Sequence, residues 1–240
     1  MSNTIEIKID GHRVKAESGQ TIMEAAVKAD IYIPRLCYLP EVPAHGSCRI
    51  CTVMVNGRQQ SACTSLCMEG AIVENETEAL NEYRRNLVEM LFSEGNHFCM
   101  SCEKSGMCEL QALGYRLGIT SSRHVYFWPD RKLDASHPDI LLDHNRCIQC
   151  GRCVQVSRDL DGKNIFQFCE RGLERRIGVN SEANLKDTAL EVTDAAVSVC
   201  PVGAILKKRV GYAMPMGTRP YDKVPIGTTI DKNTAEAAVH

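Results

Sequence analysis

Cysteine spacing constrains this chain more than any other feature: eleven of its thirteen cysteines fall into three groups, each with its own spacing. The first is Cys37-x10-Cys48-x2-Cys51-x11-Cys63. The second is Cys99-x2-Cys102-x5-Cys108, with His97 just upstream. The third is Cys147-x2-Cys150-x2-Cys153, completed far downstream by Cys200-Pro201. Thiolates grouped in this way ligate iron–sulfur clusters, whose task is to move single electrons. Cys67 and Cys169 are left over and read as buried packing residues. The odd cysteine count, with a strand-like segment starting at Thr4 and no leader-like stretch before it, argues against a disulfide framework. It points instead to a reducing cytoplasm.

Composition narrows the remaining classes. A hydrophobic content of 44% permits a core, while aromatics at 5% leave metal sites to replace part of the usual packing. A formal charge of −2 and the lack of any basic block exclude a nucleic-acid partner. No apolar run approaches the ~20 residues of a membrane span. Neither G-x-G-x-x-G nor G-x-x-x-x-G-K-[ST] occurs, so no dinucleotide or P-loop site is legible and no catalytic residue is assigned.

The spacing predicts an α+β chain. Thr4 to Ile9 alternates apolar and polar, Asp10-Gly11 is a hairpin signal, and His12 to Glu17 is the return strand. Thr21 and Glu24 form a capping box that opens a helix from Ile22 to Ala29. Asn56-Gly57 marks a second hairpin after Cys51, and Ala71-Ile72-Val73 offers one more strand. Two hairpins with a helix across them predict a β-grasp ferredoxin domain over 1–77, with the Cys37–Cys51 loop on its surface. A helical segment over 78–118 carries the second group. Within it Leu80, Tyr83, Leu87 and Leu91 form the packed face of a helix, Glu82, Arg85, Asn86 and Glu89 the polar face, and Cys108 to Leu117 a further helix. Residues 119–139 read as a connector, 140–210 as a ferredoxin-like domain, and 211–240 as an extended arm, either partner-docking or a free tail.

The third group departs informatively from the bacterial C-x2-C-x2-C-x3-C-P run. The x3 position is Ser157, and counting back from Cys200 lands on Ala196, Thr193 and Leu190. The pattern is therefore a two-cluster ferredoxin that keeps one [4Fe–4S] site, held by Cys147, Cys150, Cys153 and Cys200. The first group supplies four thiolates, enough for a [2Fe–2S] cluster, with Gly46-Ser47 allowing close backbone approach. The second has three cysteines, and His97 is the favoured fourth ligand of a [4Fe–4S] cluster; solvent, Ser101 or a [3Fe–4S] cluster are the competitors. His45 and His144, each three residues before a group cysteine, read as surface or supporting histidines. Zinc is the alternative metal throughout, which would make the chain a structural scaffold.

Three stretches carry a family resemblance. Gly46-Ser47-Cys48-Arg49-Ile50-Cys51-Thr52-Val53, Cys99-x2-Cys102-Glu103-Lys104-Ser105-Gly106-Met107-Cys108-Glu109-Leu110-Gln111 and Asn145-Arg146-Cys147-Ile148-Gln149-Cys150-Gly151-Arg152-Cys153 resemble the complex I 75 kDa subunit family, in family order. The resemblance implies one [2Fe–2S] and two [4Fe–4S] clusters, one of them held by a histidine and three cysteines. One departure stands out: the family's histidine position, four residues before the first cysteine of that group, is Gly95 here. The length resembles the small diaphorase subunit of cytoplasmic NAD-reducing [NiFe] hydrogenases. That implies a relay of single electrons between a flavin (FMN) subunit handling NAD(H) and the small and large hydrogenase subunits that carry the Ni–Fe centre. The same module in an NAD-dependent formate dehydrogenase or an electron-bifurcating complex is the alternative within the class.

Overall fold

A computed structural model describes residues 4–128 and 130–222; the remainder of the arm expected at 211–240 lies outside the described residues. The chain divides into two compact units, one up to Leu87 and one from Val88 on.

In the first unit, local chemistry sets the hairpins. Asp10 and Gly11 both take positive φ, 48° and 82°, which matches the two-residue turn joining β1 (Thr4–Ile9) to β2 (His12–Glu17). Asn56 and Gly57, at 49° and 79°, repeat it between β3 (Thr52–Val55) and β4 (Arg58–Ser61). Helix α1 (Ile22–Lys28) starts at Thr21, whose hydroxyl accepts the Glu24 amide while the Glu24 carboxylate accepts the Thr21 amide. Strand β5 (Ile72–Glu74) then inserts between the hairpins, giving the order β2-β1-β5-β3-β4 with β1 and β5 parallel. Inward-facing Ile7, Ile9, Val14, Val53, Val55 and Val73 pack with Met23, Ala25 and Ala26 of α1. The leftover Cys67 is buried in this core.

Helix α2 (Glu78–Ser93) runs across the division between the units. Its buried residues are Leu80, Arg84, Val88, Glu89 and Ser93, whereas Tyr83, Leu87 and Leu91 are only half-buried. Glu89, expected on the polar face, is thus corrected to a buried residue: both its carboxylate oxygens accept from Arg123 Nε, at 2.8 and 3.1 Å.

The second unit continues with α3 (Glu109–Arg116), one residue shorter at each end than its pattern predicts, since Cys108 and Leu117 serve as caps. Residues 119–139 contribute β6 (Leu133–Asp134), which joins β7 (Ile140–Asp143) and β10 (Ile205–Lys207) in a small antiparallel sheet. Between them lie α4 (Arg152–Asp159), the hairpin β8 (Phe166–Cys169) and β9 (Arg176–Val179), and the short α5 (Ala195–Ser198). Cys169 is half-buried rather than buried, seated against Gly178, where a Cβ would overlap its sulfur. The described start of the arm folds back within the unit: Tyr221 is buried, its amide donates to Gly106 O, and Arg219 Nη1 donates to Ser105 O at 2.9 Å. No described helix is long and apolar enough to cross a membrane.

Candidate metal centres

The first cysteine group gathers at one end of the β3–β4 hairpin. Cys51 and Cys63 flank its strands, and their sulfurs lie 3.3 Å apart. The Cys48 amide donates to Cys37 Sγ at 3.5 Å. Hydrogen bonds from the Cys48 and Cys63 thiols hold Cys37 far below the ordinary thiol range, and sharing its proton with Cys37 and Cys51 drives Cys63 up. The loop expected on the surface is mixed: His45, Ser47 and Arg49 are exposed, but Cys37 and Cys51 are buried at 2% and 1% exposure.

A residue without any cysteine signature supports this loop. Arg84 is fully buried and spans the peptides on both sides of Cys51, donating from Nε to Ile50 O at 3.2 Å and from Nη2 to Thr52 O at 2.9 Å. It also donates to Asn75 O at 2.9 Å and Asn75 Oδ1 at 2.7 Å. A planar fork with five donors suits several carbonyls at once, which a lysine could not serve.

His97, Cys99, Cys102 and Cys108 line one cavity, together with Phe92, Gln111, Arg146 and Gly203. The His97 ring bonds to the Leu91 backbone and meets Phe92 edge-on at 5.6 Å. Its Nε2 is buried with no hydrogen-bond partner, so Nδ1 makes the Leu91 bond. One nitrogen tied to a backbone carbonyl and the other left with a lone pair is the usual state of a metal-binding histidine. Burial, with the Arg146 charge adding, lowers the imidazole to about 4, so it is neutral near pH 7. Gly95 explains how a histidine at 97 reaches this place: a Cβ at 95 would overlap His97 Nε2, so the ring occupies the volume that a residue-95 side chain would fill. Cys108 caps α3 and accepts the Gln111 amide at 3.5 Å, while burial pushes its thiol up to about 12. The Gln111 side chain holds the loop through Gly106 N at 2.9 Å.

The third group sits where β7 runs into α4. Gly151, at φ 79°, turns the chain as the residue before α4, which only glycine does without strain. Burial raises the Cys147 thiol to about 11 and also raises Cys150 and Cys153; each senses Cys200, so the four share one neighbourhood. The Gln149 amide donates to Cys147 Sγ at 3.4 Å. Arg152, buried beside Cys153, forms a two-pronged ion pair with Glu109 at 2.5 and 2.7 Å. The Glu109 amide in turn donates to Pro201 O at 2.9 Å. Positions that would carry the missing second cluster are filled otherwise. Ser157 is fully buried with its hydroxyl accepting the Ile165 amide at 2.8 Å, and Ala196 and Leu190 are buried apolar residues. His45 is exposed, whereas His144 is buried with Nδ1 unpaired.

Buried thiols pushed upward by desolvation cannot all carry charge unless a cation lies among them, so the donor sets suit a metal group. Among the described residues, no three such side chains meet at a single ion-sized point. The sequence marked the sulfurs but not Arg84, Glu109, Gln111, Arg146 or Arg152. The last four stand inside the quoted motifs, yet only the fold shows what each one holds.

Comparisons with known proteins agree in order and extent. Residues 2–78 match the 2Fe-2S iron-sulfur cluster binding domain, 84–123 the NADH-ubiquinone oxidoreductase-G iron-sulfur binding region, and 137–206 the ferredoxin-like domain of NADH-quinone oxidoreductase subunit 3. The gamma subunit of the NAD-reducing hydrogenase HoxS of Cupriavidus necator is 46% identical, over 91% of this chain and 94% of that one. The 78 kDa subunit of NADH-ubiquinone oxidoreductase from Candida albicans is 31% identical, and an NADH-quinone oxidoreductase subunit of Rhizobium meliloti 32%. These matches cover 87% and 91% of this chain but only 29% and 25% of those relatives. A crystal structure of an NAD+-reducing [NiFe]-hydrogenase contains a chain with a TM-score of 0.89 and 47% identity, covering 92% of this chain and 94% of that one. The chain belongs to the complex I 75 kDa subunit family, and the gamma subunit of an NAD-reducing hydrogenase is a member it matches over nearly full length.

Proposed function

We propose that this chain is the electron-relaying iron–sulfur subunit of an NAD-reducing hydrogenase. It serves between a flavin subunit that handles NAD(H) and the subunits that carry the Ni–Fe centre. What carries the reading is the 46% identity over 94% of a hydrogenase gamma subunit, against 31–32% for the respiratory relatives. Cys37, Cys48, Cys51 and Cys63 would hold a [2Fe–2S] cluster. His97, Cys99, Cys102 and Cys108 would hold one [4Fe–4S] cluster, and Cys147, Cys150, Cys153 and Cys200 a second. Such clusters supply one-electron redox chemistry at potentials set by ligand type, burial and hydrogen bonds to sulfur.

The chain's own residues perform the tuning. The Cys48, Gln111 and Gln149 amides each point a donor at a group sulfur, within 3.4–3.5 Å. The neutral His97 ring brings one negative charge fewer than a fourth thiolate. The odd cysteine count and the grouping of eleven cysteines at cluster-like spacings support a reducing, cytoplasmic setting.

The test is iron, acid-labile sulfide and zinc per chain in the anaerobically prepared complex, for the native chain and Cys200→Ala. About ten iron with matching sulfide are expected natively, and about six in the variant, which also loses hydrogen-dependent NAD+ reduction. Zinc in place of iron would make the chain a scaffold and end the relay reading.

A further inference from the structure

The cavity of the second site contains an arginine that touches sulfur. Arg146 Nη1 lies 3.7 Å from Cys102 Sγ and 2.7 Å from Glu103 Oε2, and its Nε lies 3.0 Å from Asp143 Oδ2. Two carboxylates thus fix the guanidinium plane, and the fixed plane directs a donor at the thiol. The opposite wall makes room for it. A Cβ at Gly203 would stand 3.1 Å from Cys102 Sγ and 3.4 Å from Arg146 Nη1, so a side chain there would crowd both. Arg146 is also the residue before Cys147, so its backbone belongs to the third group while its side chain serves the second.

Resting on the relay function proposed above, we infer that Arg146 is the positioning residue that sets the second site's electron affinity. It donates to the Cys102 thiolate and shields the site from Glu103 and Asp143. A donor on a ligand sulfur favours the more negative, reduced state, because the added electron spreads onto sulfur and strengthens a charge-assisted bond. The carboxylates fix the sign. With Arg146 in place they are neutralised and act as its supports. Without it, both leave negative charge beside the site and disfavour reduction.

The experiment is a potentiometric titration of the holo complex followed by electron paramagnetic resonance, with the second site's signal assigned as the one that His97→Cys alters. In Arg146→Gln, the reduced-to-oxidised ratio of that signal at fixed potential should fall about tenfold, equivalent to about 59 mV for a one-electron couple. Arg146→Lys, which keeps the charge and loses the fork, should fall less. Glu103→Gln removes a negative charge beside the site while Asp143 still holds Nε, so the same signal should shift the opposite way, toward easier reduction, with the other signals unmoved. Should Arg146→Gln lose iron, the Arg146→Lys shift decides the matter instead, since it keeps the charge and removes the fork aimed at Cys102. A second-site signal unmoved in Arg146→Lys, or in an iron-replete Arg146→Gln, overturns the inference while leaving the relay intact; zinc in place of iron would instead remove the relay itself.

Discussion

The first and second cysteine sites place an arginine differently, and the difference follows from what carries the sulfurs. In the first, Cys51 and Cys63 belong to the apolar core of a five-stranded sheet, and strand geometry positions them. Arg84 bonds to peptide carbonyls on either side of Cys51. In the second, the three cysteines are half-buried on loops and turns, with side chains doing what strands do elsewhere. Gln111 ties the loop, Glu103 and Asp143 aim a guanidinium, and that guanidinium meets sulfur directly. A sheet-borne site uses its buried cation as scaffold, whereas a loop-borne site brings its cation to the sulfur.

The sharpest way to break this contrast is Arg84→Met. It strands the Ile50, Thr52 and Asn75 carbonyls, and each buried acceptor left unmet costs about 1–3 kcal/mol, so a total loss of several kcal/mol is expected. Urea unfolding of the anaerobic holoprotein, with iron retention per site, should show the [2Fe–2S] signal lost first and the two cubane signals kept. Next comes Glu109→Leu, which leaves Arg152 buried without its partner and should cost about 3–5 kcal/mol. The double variant with Arg152→Met should recover much of that loss, because an apolar pair of similar volume replaces a desolvated ion pair. Here the damage should fall on the histidine-containing site and the Cys200 site together, since Glu109 follows Cys108 and Arg152 precedes Cys153. The smallest effect belongs to Thr21→Ala. Losing the α1 cap should cost about 1 kcal/mol with all iron retained, since the box lies in the local frame rather than on a ligand.

Legibility follows the range of the interaction. Asp10-Gly11, Asn56-Gly57 and the Thr21/Glu24 box act within four residues, and each formed where its pattern stood. The parallel β1–β5 pairing joins residues more than 60 apart, as Lys8 with Ile72, and no local signal marks it. Arg84 and Glu89 look like ordinary polar positions of a helix because their partners come from elsewhere: Ile50 and Arg123 are each 34 residues away. The sites divide the same way. Cysteine spacing grouped the sulfurs, whereas the guanidinium on Cys102 and the ion pair behind Cys153 follow from folding the two loops together.

The shared volume at Gly95 and His97 has an evolutionary consequence. A side chain at 95 and an imidazole arriving from 97 exclude each other, so the histidine cannot drift along the loop by neutral single steps. A lineage moving it from one position to the other must pass through an ancestor with two competing side chains or none. With both present only one ring fits the cavity, and with neither the cavity holds none, so the two arrangements are mutually exclusive ways of filling one volume.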